Sequence, residues 1–140
     1  GTREMESFVT KSPRETEEVG ANLAKRLKSG SVVALFGGLG AGKTAFVRGL
    51  ARGMGINSEV SSPTFALVHE YEGNPPLVHF DMYRVTGWDD LYSTGFFDYL
   101  DMGAVLAVEW SENIENALPE GAIRVNIIKV DDNTRRIEIE

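Results

Sequence analysis

The stretch "SVVALFGGLGAGKT", residues 31–44, decides the fold of this chain. Its first part, SVVALF at 31–36, is a continuous apolar run, which is typical of a strand buried on both faces of a sheet. The second part, GGLGAGKT at 37–44, fits the phosphate-loop pattern G-x-x-x-x-G-K-[ST]. An amphipathic helix is predicted to follow over residues 43–54. Strand, glycine loop and helix in this order predict a site for a nucleoside triphosphate.

Each residue type in this loop has a chemical reason. Glycines let successive backbone N–H groups turn towards phosphate oxygens, and the helix that follows directs its positive end at them. Lys43 is predicted to reach the β- and γ-phosphates, and the hydroxyl of Thr44 to ligate Mg²⁺. The full set of predicted nucleotide contacts in the loop is Gly37, Gly38, Leu39, Gly40, Ala41, Gly42, Lys43, Thr44 and Ala45.

The loop could also be a glycine-rich turn in which the sequence GKT occurs by chance, or a dinucleotide-binding motif. The dinucleotide pattern G-x-G-x-x-G fails, because counting from Gly38 and Gly40 puts Lys43 at its last position. The D-x-x-G and N-K-x-D motifs of guanine-specific switches do not occur in the sequence. Their absence favours ATP as the nucleotide.

Composition sets limits on the class of protein. The 140 residues predict a single domain over 1–140, with residues 1–5 either an expression remnant or disordered. There is no cysteine, which excludes disulfides and thiolate metal sites, and no apolar run approaches the roughly 18 residues that cross a bilayer. A cytoplasmic protein is expected. The net charge of −7 argues against direct nucleic-acid binding and favours a protein partner.

The rest of the sequence predicts an α/β protein with a mixed parallel and antiparallel sheet between layers of helices. Ser12, Pro13 and Glu15 form a helix start that resembles a capping box. The two uniformly apolar strands should lie at the centre of the sheet. The predicted elements are strand 7–10, helix 13–28, strands 65–71 and 76–83 joined by a hairpin or a tight corner, two short helical turns in 88–101, strand 104–109 and a closing hairpin after 122.

Two strands end in an acid, at Asp81 and Glu109, and both acids could face Mg²⁺ beyond the carboxyl edge of the sheet. The strand before Glu109 is the more uniformly apolar, as expected beside the loop strand. LVHFD at 77–81 alternates, which suggests one less buried face. Glu109 is therefore predicted to ligate the metal, and Asp81 to orient water or couple a switch. Either could instead be a solvated acid, and we interpret His79 as structural.

Three further residues are candidates for the same site. Thr64, in SSPTF at 61–65, could sense the γ-phosphate, or its hydroxyl could satisfy a local turn. Arg84 could act as an arginine finger or form a surface ion pair. Trp110 follows Glu109 directly, which puts it near the nucleotide, although a core position is equally open.

The motifs GGLGAGKT, SSPTFALVHEY, VHFDMYR and VLAVEW occur in an order and at spacings that resemble the bacterial TsaE family. The resemblance covers about residues 8–130 and implies a P-loop NTPase-like three-layer sandwich. It also implies a weak ATPase that uses ATP and Mg²⁺ and acts on a TsaD–TsaB heterodimer in making threonylcarbamoyladenosine, so that tRNA is reached only through partners.

By the same resemblance, Lys43 and Thr44 serve the phosphates and magnesium, and Glu109 is the magnesium-site glutamate. Asp81 is the functionally important acid, Trp110 lies beside the nucleotide, and Thr64 falls in a switch-like segment. Gly38 departs from the family, in which an acidic residue is common at this place, but the backbone cradle should survive.

Two other functions stay open at this stage. A small P-loop kinase that phosphorylates a metabolite would normally carry an arginine-bearing lid. The segment after Arg84, GWDDLYSTGFFDYLD at 87–101, is acidic and aromatic instead. A nucleotide-gated binding module would differ from the ATPase only in its lack of turnover.

Overall fold

A computed structural model describes residues 5–38, 40–57, 59–60 and 68–140 of the chain. Within these ranges the chain forms seven strands, four α-helices and one 3₁₀ helix. The strands are β1 (Glu6–Thr10), β2 (Val32–Phe36), β3 (Val68–Tyr71), β4 (Leu77–Asp81), β5 (Val105–Glu109), β6 (Ile123–Lys129) and β7 (Arg135–Ile139). The helices are α1 (Pro13–Ala24), α2 (Lys43–Gly53), α3 (Trp88–Ser93) and α4 (Phe96–Asp101), with the 3₁₀ helix at Ser111–Ala117.

The strands form one sheet in the order β1-β7-β6-β2-β5-β4-β3. The loop strand β2 is parallel to both of its neighbours, β5 and β6, and β4 is parallel to β5. The remaining pairs, β1 with β7, β6 with β7 and β3 with β4, are antiparallel. The mixed sheet, both hairpins and the position of β5 beside β2 are therefore confirmed. Because β2, β4 and β5 are parallel, their carboxyl ends meet at one edge of the sheet.

Helices cover both faces of the parallel half of the sheet. One core lies beneath α1 and α2 and includes Leu35 and Phe46. The other lies beneath α3, α4 and the 3₁₀ helix and includes Phe80 and Phe96. This arrangement confirms an α/β sandwich. Over β6 and β7 the second face stays open, where residues such as Asn126 are exposed.

Glycines bring α1 and α2 into close backbone contact. A Cβ atom added to Gly49 would lie 1.9 Å from the carbonyl oxygen of Glu17, and one added to Gly20 would lie 2.3 Å from that of Phe46. No side chain fits at those distances, so only glycine permits this separation of the helices. Since α2 begins at the phosphate loop, its packing against α1 also sets the position of the loop.

Helix α1 begins as predicted but ends earlier. The hydroxyl of Ser12 accepts a hydrogen bond from the N–H of Glu15 at 3.2 Å. The Glu15 carboxylate accepts from the N–H of Lys11, one residue before the position of a standard capping box. The predicted end at residue 28 is wrong: the helix ends at Ala24, and Leu27 N–H bonds to Ala24 with the tighter i→i+3 spacing.

The prediction that the strand before Asp81 has one less buried face is also wrong. All of residues 77–80 in β4 are buried. The strand lies inside the sheet, between β3 and β5. The polar residue that suggested exposure, His79, is fully buried and contacts the side chain of Glu109 on β5.

Candidate functional site

The phosphate loop connects the end of β2 to the start of α2, and its glycines have backbone conformations that side chains disfavour. Gly37, Gly40 and Gly42 have φ angles of 142°, 74° and 104°. A Cβ atom on Gly37 would also lie 2.5 Å from the carbonyl oxygen of Ile127 on β6. Gly38 differs, since a Cβ atom there would meet nothing within 4 Å. The loop therefore requires glycine at positions 37, 40 and 42 but leaves room for a side chain at position 38.

The N-terminus of α2 is open to an anion. Gly42 is the N-cap residue, so no side chain caps the helix, and the first turn carries no acidic residue. The first N–H groups of a helix lack partners within it and attract negative charge. The predicted contacts Thr44 and Ala45 lie in this turn and are half-buried, and Ala41 precedes it. The geometry suits a phosphate group.

Lys43 lies at the centre of the site and is only 5% exposed. Its ammonium donates a hydrogen bond to the carbonyl oxygen of Gly37 at 2.7 Å and lies 4.2 Å from the centroid of the Trp110 ring. Burial lowers the pKa of this ammonium, whereas the charges of Glu109, Glu112 and Asp81 raise it. The acids that act on it include both strand-end carboxylates, Asp81 and Glu109.

Asp81 and Glu109 lie directly opposite each other at the ends of β4 and β5. Directly paired residues project from the same face of a sheet, so both carboxylates point to the side that carries α2. Asp81 is half-buried and accepts a hydrogen bond from the N–H of Tyr83 at 2.9 Å. Burial raises the pKa of Asp81 and the charge of Glu109 adds to this, although the Tyr83 N–H lowers it.

His79 holds the Glu109 carboxylate from within the core. Its Nε2 atom lies 2.5 Å from Oε2 of Glu109, and both side chains are buried. The other ring nitrogen, Nδ1, has no hydrogen-bond partner among the described residues. An ionised carboxylate can only accept a hydrogen bond, so this contact requires a proton on Nε2. His79 therefore donates to Glu109 and orients that carboxylate.

Trp110 adopts a backbone conformation that is unusual for its type. Its φ angle is 59°, and among the described residues it is the one non-glycine residue with a positive φ. Such a left-handed residue stores about 1–3 kcal/mol of strain and is often found at functional sites. The ring packs against Tyr83 with a centroid distance of 5.0 Å and lies beneath the ammonium of Lys43. Trp110 thus forms a wall of the same site.

Hydrogen bonds tie together the two segments that carry the acids. The N–H of Met82 donates to the carbonyl oxygen of Glu109 at 3.0 Å. The side-chain amide of Asn113, in the 3₁₀ helix, donates to the carbonyl oxygens of Met82 and Tyr83 at 2.8 and 3.2 Å. Asp81 and Glu109 are therefore fixed relative to each other by backbone contacts that do not depend on a ligand.

Sequence reasoning missed two side chains that touch the loop. The N–H of Gly37 donates to the carboxylate of Glu112 at 3.2 Å. Arg135 on β7 donates from Nε to the carbonyl oxygen of Ala41 at 2.9 Å and from Nη2 to that of Gly40 at 3.1 Å. Glu112 lies two residues after Trp110 in a short acidic segment, which was a weak signal. No local pattern marked Arg135.

For three of the predicted site residues, membership of this cluster stays a prediction. Thr64 and Leu39 lie outside the described residues. Arg84 is exposed in the turn after β4, and its role as an arginine finger stays a prediction.

The polar groups at this edge are of the kind that Mg²⁺ prefers. In the parts of the chain that the structure describes, no three His, Asp or Glu side chains form a cluster that could hold a metal alone. Mg²⁺ usually takes one or two carboxylates and completes its shell with water and substrate phosphates. The Thr44 hydroxyl and the Glu109 and Asp81 carboxylates, beside a loop shaped for phosphate, fit such a site.

No helix in the described residues is both long and apolar enough to cross a membrane.

Comparisons with known proteins give one consistent result. The family profile described as "Threonylcarbamoyl adenosine biosynthesis protein TsaE" matches residues 10–137. The tRNA threonylcarbamoyladenosine biosynthesis protein TsaE of Treponema pallidum (strain Nichols) is 37% identical over 131 residues, which cover 94% of this chain and 97% of the relative. The protein of the same name from Bacillus subtilis (strain 168) is 40% identical over 129 residues, covering 91% and 80%.

A solved structure agrees with these matches. The crystal structure of Bacillus subtilis YdiB superposes with a TM-score of 0.81 at 34% sequence identity. The match covers 99% of this chain and 86% of that one.

Proposed function

The chain belongs to the TsaE family of threonylcarbamoyl adenosine biosynthesis proteins, and from that membership we propose that it binds and hydrolyses ATP in support of tRNA threonylcarbamoyladenosine modification. The observation that carries the ATPase proposal is the convergence of a phosphate loop, Lys43 and two strand-end carboxylates at one edge of the sheet. Each of these groups has a distinct task in phosphoryl transfer.

Lys43 is the phosphate-binding cation of the proposed site. Its contacts with the Gly37 carbonyl and the Trp110 ring keep the ammonium at the mouth of the loop. On binding, it would exchange the carbonyl for the β- and γ-phosphate oxygens, which are stronger acceptors because they are charged. The N–H groups of the loop and of the first turn of α2 would hold the remaining oxygens.

Thr44 and Glu109 are the proposed magnesium ligands. Bound Mg²⁺ supplies the positive charge that neutralises the β- and γ-phosphate oxygens during transfer. The Glu109 carboxylate is buried and held by His79, so it is oriented before any ligand arrives. A side chain that is already oriented in this way loses little conformational entropy when the metal binds.

Asp81 is the proposed water-orienting acid. Its pKa is raised by burial and by the neighbouring Glu109, which makes the carboxylate a better proton acceptor. One of its oxygens is occupied by the N–H of Tyr83, which fixes the direction of the other. Both features support the proposal that Asp81 directs a water molecule at the γ-phosphate.

Alanine variants of the two acids test this division of roles. Glu109→Ala should weaken magnesium-dependent ATP binding, whereas Asp81→Ala should preserve binding and lose turnover. Calorimetric titration measures the binding and phosphate release measures the turnover, with Asp101→Ala, an exposed acid at the end of α4, as control. Equal binding defects in both variants would make Asp81 a magnesium ligand and refute the split.

An exposed aromatic patch favours a protein partner for this ATPase. The patch consists of Trp88, Tyr92 and Phe97, with Trp88 54% and Tyr92 64% exposed. The Phe97 ring centroid lies 6.4 Å from that of Trp88 and 5.0 Å from that of Tyr92. Residues 88–101 contain no lysine or arginine, and the acids among them are Asp89, Asp90, Asp98 and Asp101. Exposed aromatics with an acidic rim suit a protein surface with an apolar centre and a basic rim.

We assign the partner as the TsaD–TsaB heterodimer that the family resemblance implies, with tRNA reached through it. The double variant Trp88→Ala/Tyr92→Ala should bind purified TsaD–TsaB at least about tenfold more weakly, because aromatic side chains dominate interface energies. Val130→Ala, an apolar side chain that is 60% exposed on the β6–β7 turn, is the matched control. If the double variant binds as tightly as the unmodified protein, the patch is not the docking surface.

Phosphate release also separates the ATPase from its two rivals. A metabolite kinase would form ADP only with an acceptor and would release no free phosphate. A gated binding module would release no phosphate even with TsaD–TsaB present. We expect slow release by the isolated chain and faster release with the heterodimer, because an incomplete site loses orders of magnitude in rate.

A further inference from the structure

We propose that Arg135 is a positioning residue that holds the phosphate loop in its anion-binding conformation from the C-terminal hairpin. Its guanidinium donates to two loop carbonyls, those of Gly40 and Ala41, at 3.1 and 2.9 Å. The same group donates from Nη1 to the carbonyl oxygens of Asp131, Asp132 and Thr134, at 2.7, 3.4 and 3.1 Å. One side chain therefore joins two segments that are far apart in the sequence.

The direction of these bonds determines which way the loop N–H groups point. In a trans peptide the C=O and the N–H of the same unit point in opposite directions. Because Arg135 draws the carbonyls of Gly40 and Ala41 towards itself, the N–H groups of Ala41 and Gly42 are aimed at the opposite side. That side is the interior of the loop, where the N–H of Ala41 bonds to the Gly38 carbonyl at 3.3 Å. A phosphate in the loop would accept from the N–H of Gly42, and from that of Ala41 in place of the Gly38 carbonyl.

The base of this contact is rigid. Arg135 is the first residue of β7, where it pairs with Lys129 of β6 and Thr10 of β1. Its neighbours in the core, Ile137 and Ile139, are buried beneath α1 and α2. The backbone that carries the guanidinium is therefore held by a strand on each side.

Only arginine can make this set of bonds. Its planar guanidinium carries five N–H donors in a fixed arrangement, and the group stays charged at any physiological pH. A lysine ammonium has three donors at one point and cannot span two segments in the same way. Among the described residues no carboxylate lies within 4 Å of the guanidinium, so its charge also adds to the field that attracts phosphate.

The contact between Arg135 and the loop is a property of the protein without nucleotide. Only its effect on ATP binding rests on the proposed function. The test therefore has two measurements, one without ATP and one with it. Arg135→Met and Arg135→Lys are compared with Arg136→Met. Arg136 is the next residue on β7 and projects from the other face, where it pairs with Glu138 at 3.5 Å.

Without nucleotide, hydrogen–deuterium exchange is followed in a peptide covering residues 37–46. Arg135→Met should speed exchange there by roughly tenfold or more, since two charge-assisted bonds to the loop are lost. Arg135→Lys should have an intermediate effect and Arg136→Met none. The inference is overturned if the loop exchanges in Arg135→Met as it does in Arg136→Met, or if its exchange rises only in step with that of every other peptide. If Arg135→Met does not fold, Arg135→Lys is judged by the same criteria.

With nucleotide, calorimetric titration of Mg–ATP should show a dissociation constant raised roughly tenfold in Arg135→Met and unchanged in Arg136→Met. An unchanged constant in Arg135→Met would remove the role in nucleotide binding. If the unmodified protein binds no ATP, the proposed function fails, while the exchange measurement still decides whether Arg135 positions the loop.

Discussion

The buried contact between His79 and Glu109 makes a quantitative prediction about stability. Leucine at position 79 fills a similar volume but removes the ring nitrogen that contacts Oε2 of Glu109 at 2.5 Å. Glu109 is 5% exposed, so water cannot replace the lost bond without rearrangement. Removing the hydrogen-bond partner of a buried charged group costs about 2–4 kcal/mol.

Two gains offset part of this cost. His79→Leu removes the Nδ1 atom, which is buried without a partner, and it buries additional apolar surface. Together these return about 1 kcal/mol. We therefore expect a net loss of about 1–3 kcal/mol in the free energy of unfolding, or a fall of about 2–9 °C in Tm for a chain of this size.

A double-mutant cycle separates the hydrogen bond from simple packing. In a Glu109→Leu background no carboxylate remains to be left unpaired, so His79→Leu should be neutral or stabilising there. The measurement is urea denaturation followed by circular dichroism, without nucleotide. His69→Leu is the control, because this half-buried histidine lies opposite His79 on β3 and contacts Tyr71 instead.

The reasoning is refuted if His79→Leu costs the same in both backgrounds, within about 0.5 kcal/mol. Histidine would then act by filling space alone. If the cycle shows coupling, magnesium-dependent ATP binding should also weaken in His79→Leu by about tenfold, since partners of metal ligands contribute 10- to 100-fold to affinity.

Other predictions concern the helices and the loop. Gly49→Ala places a methyl group 1.9 Å from the Glu17 carbonyl oxygen, so α1 and α2 must separate. We expect a loss of about 1–3 kcal/mol in urea denaturation. Gly121→Ala, which meets nothing within 4 Å, should cost little. Ser12→Ala removes the cap of α1 and should cost about 1 kcal/mol in the same assay. Lys43→Met should raise the dissociation constant for ATP about 10- to 100-fold by calorimetry, with folding retained, through loss of charge-assisted bonds to phosphate; an unchanged constant would remove Lys43 from the site.

The parts of the fold that could be predicted are those encoded within a few residues. SVVALF and AVLAVE carry polar residues only at their ends, so the apolar run of each was expected to be buried on both faces, and they are the neighbouring strands β2 and β5. The loop glycines and Lys43 were recognisable because their spacing is fixed by the shape of a phosphate. The end of α1 could not be predicted, because Leu27 continues the apolar spacing while its backbone tightens to an i→i+3 bond.

Contacts between distant segments were beyond local patterns. Arg135 touches the loop across a separation of 94 residues, and Glu112 reaches Gly37 across 75. From sequence alone, an arginine in a closing hairpin is interpreted as a surface charge. Only the strand order, with β6 beside β2, brings it to the phosphate loop. Sequence spacing therefore identifies the proposed ligand-binding groups more readily than the residues that hold them in place.

The error at β4 has a physical lesson of its own. The polar residues His79 and Asp81 alternate with apolar ones, and that alternation predicted exposure to solvent. In the folded protein the polar face of β4 meets Glu109 on the neighbouring strand, so the alternation marks a buried polar site. Alternation alone does not separate a solvent-exposed strand face from a buried polar site. The difference is whether the neighbouring strand carries a polar side chain directly beside the polar residues. Here the acid that ends β5 is such a side chain, and it turns His79 from an apparently structural residue into the support of the proposed magnesium ligand.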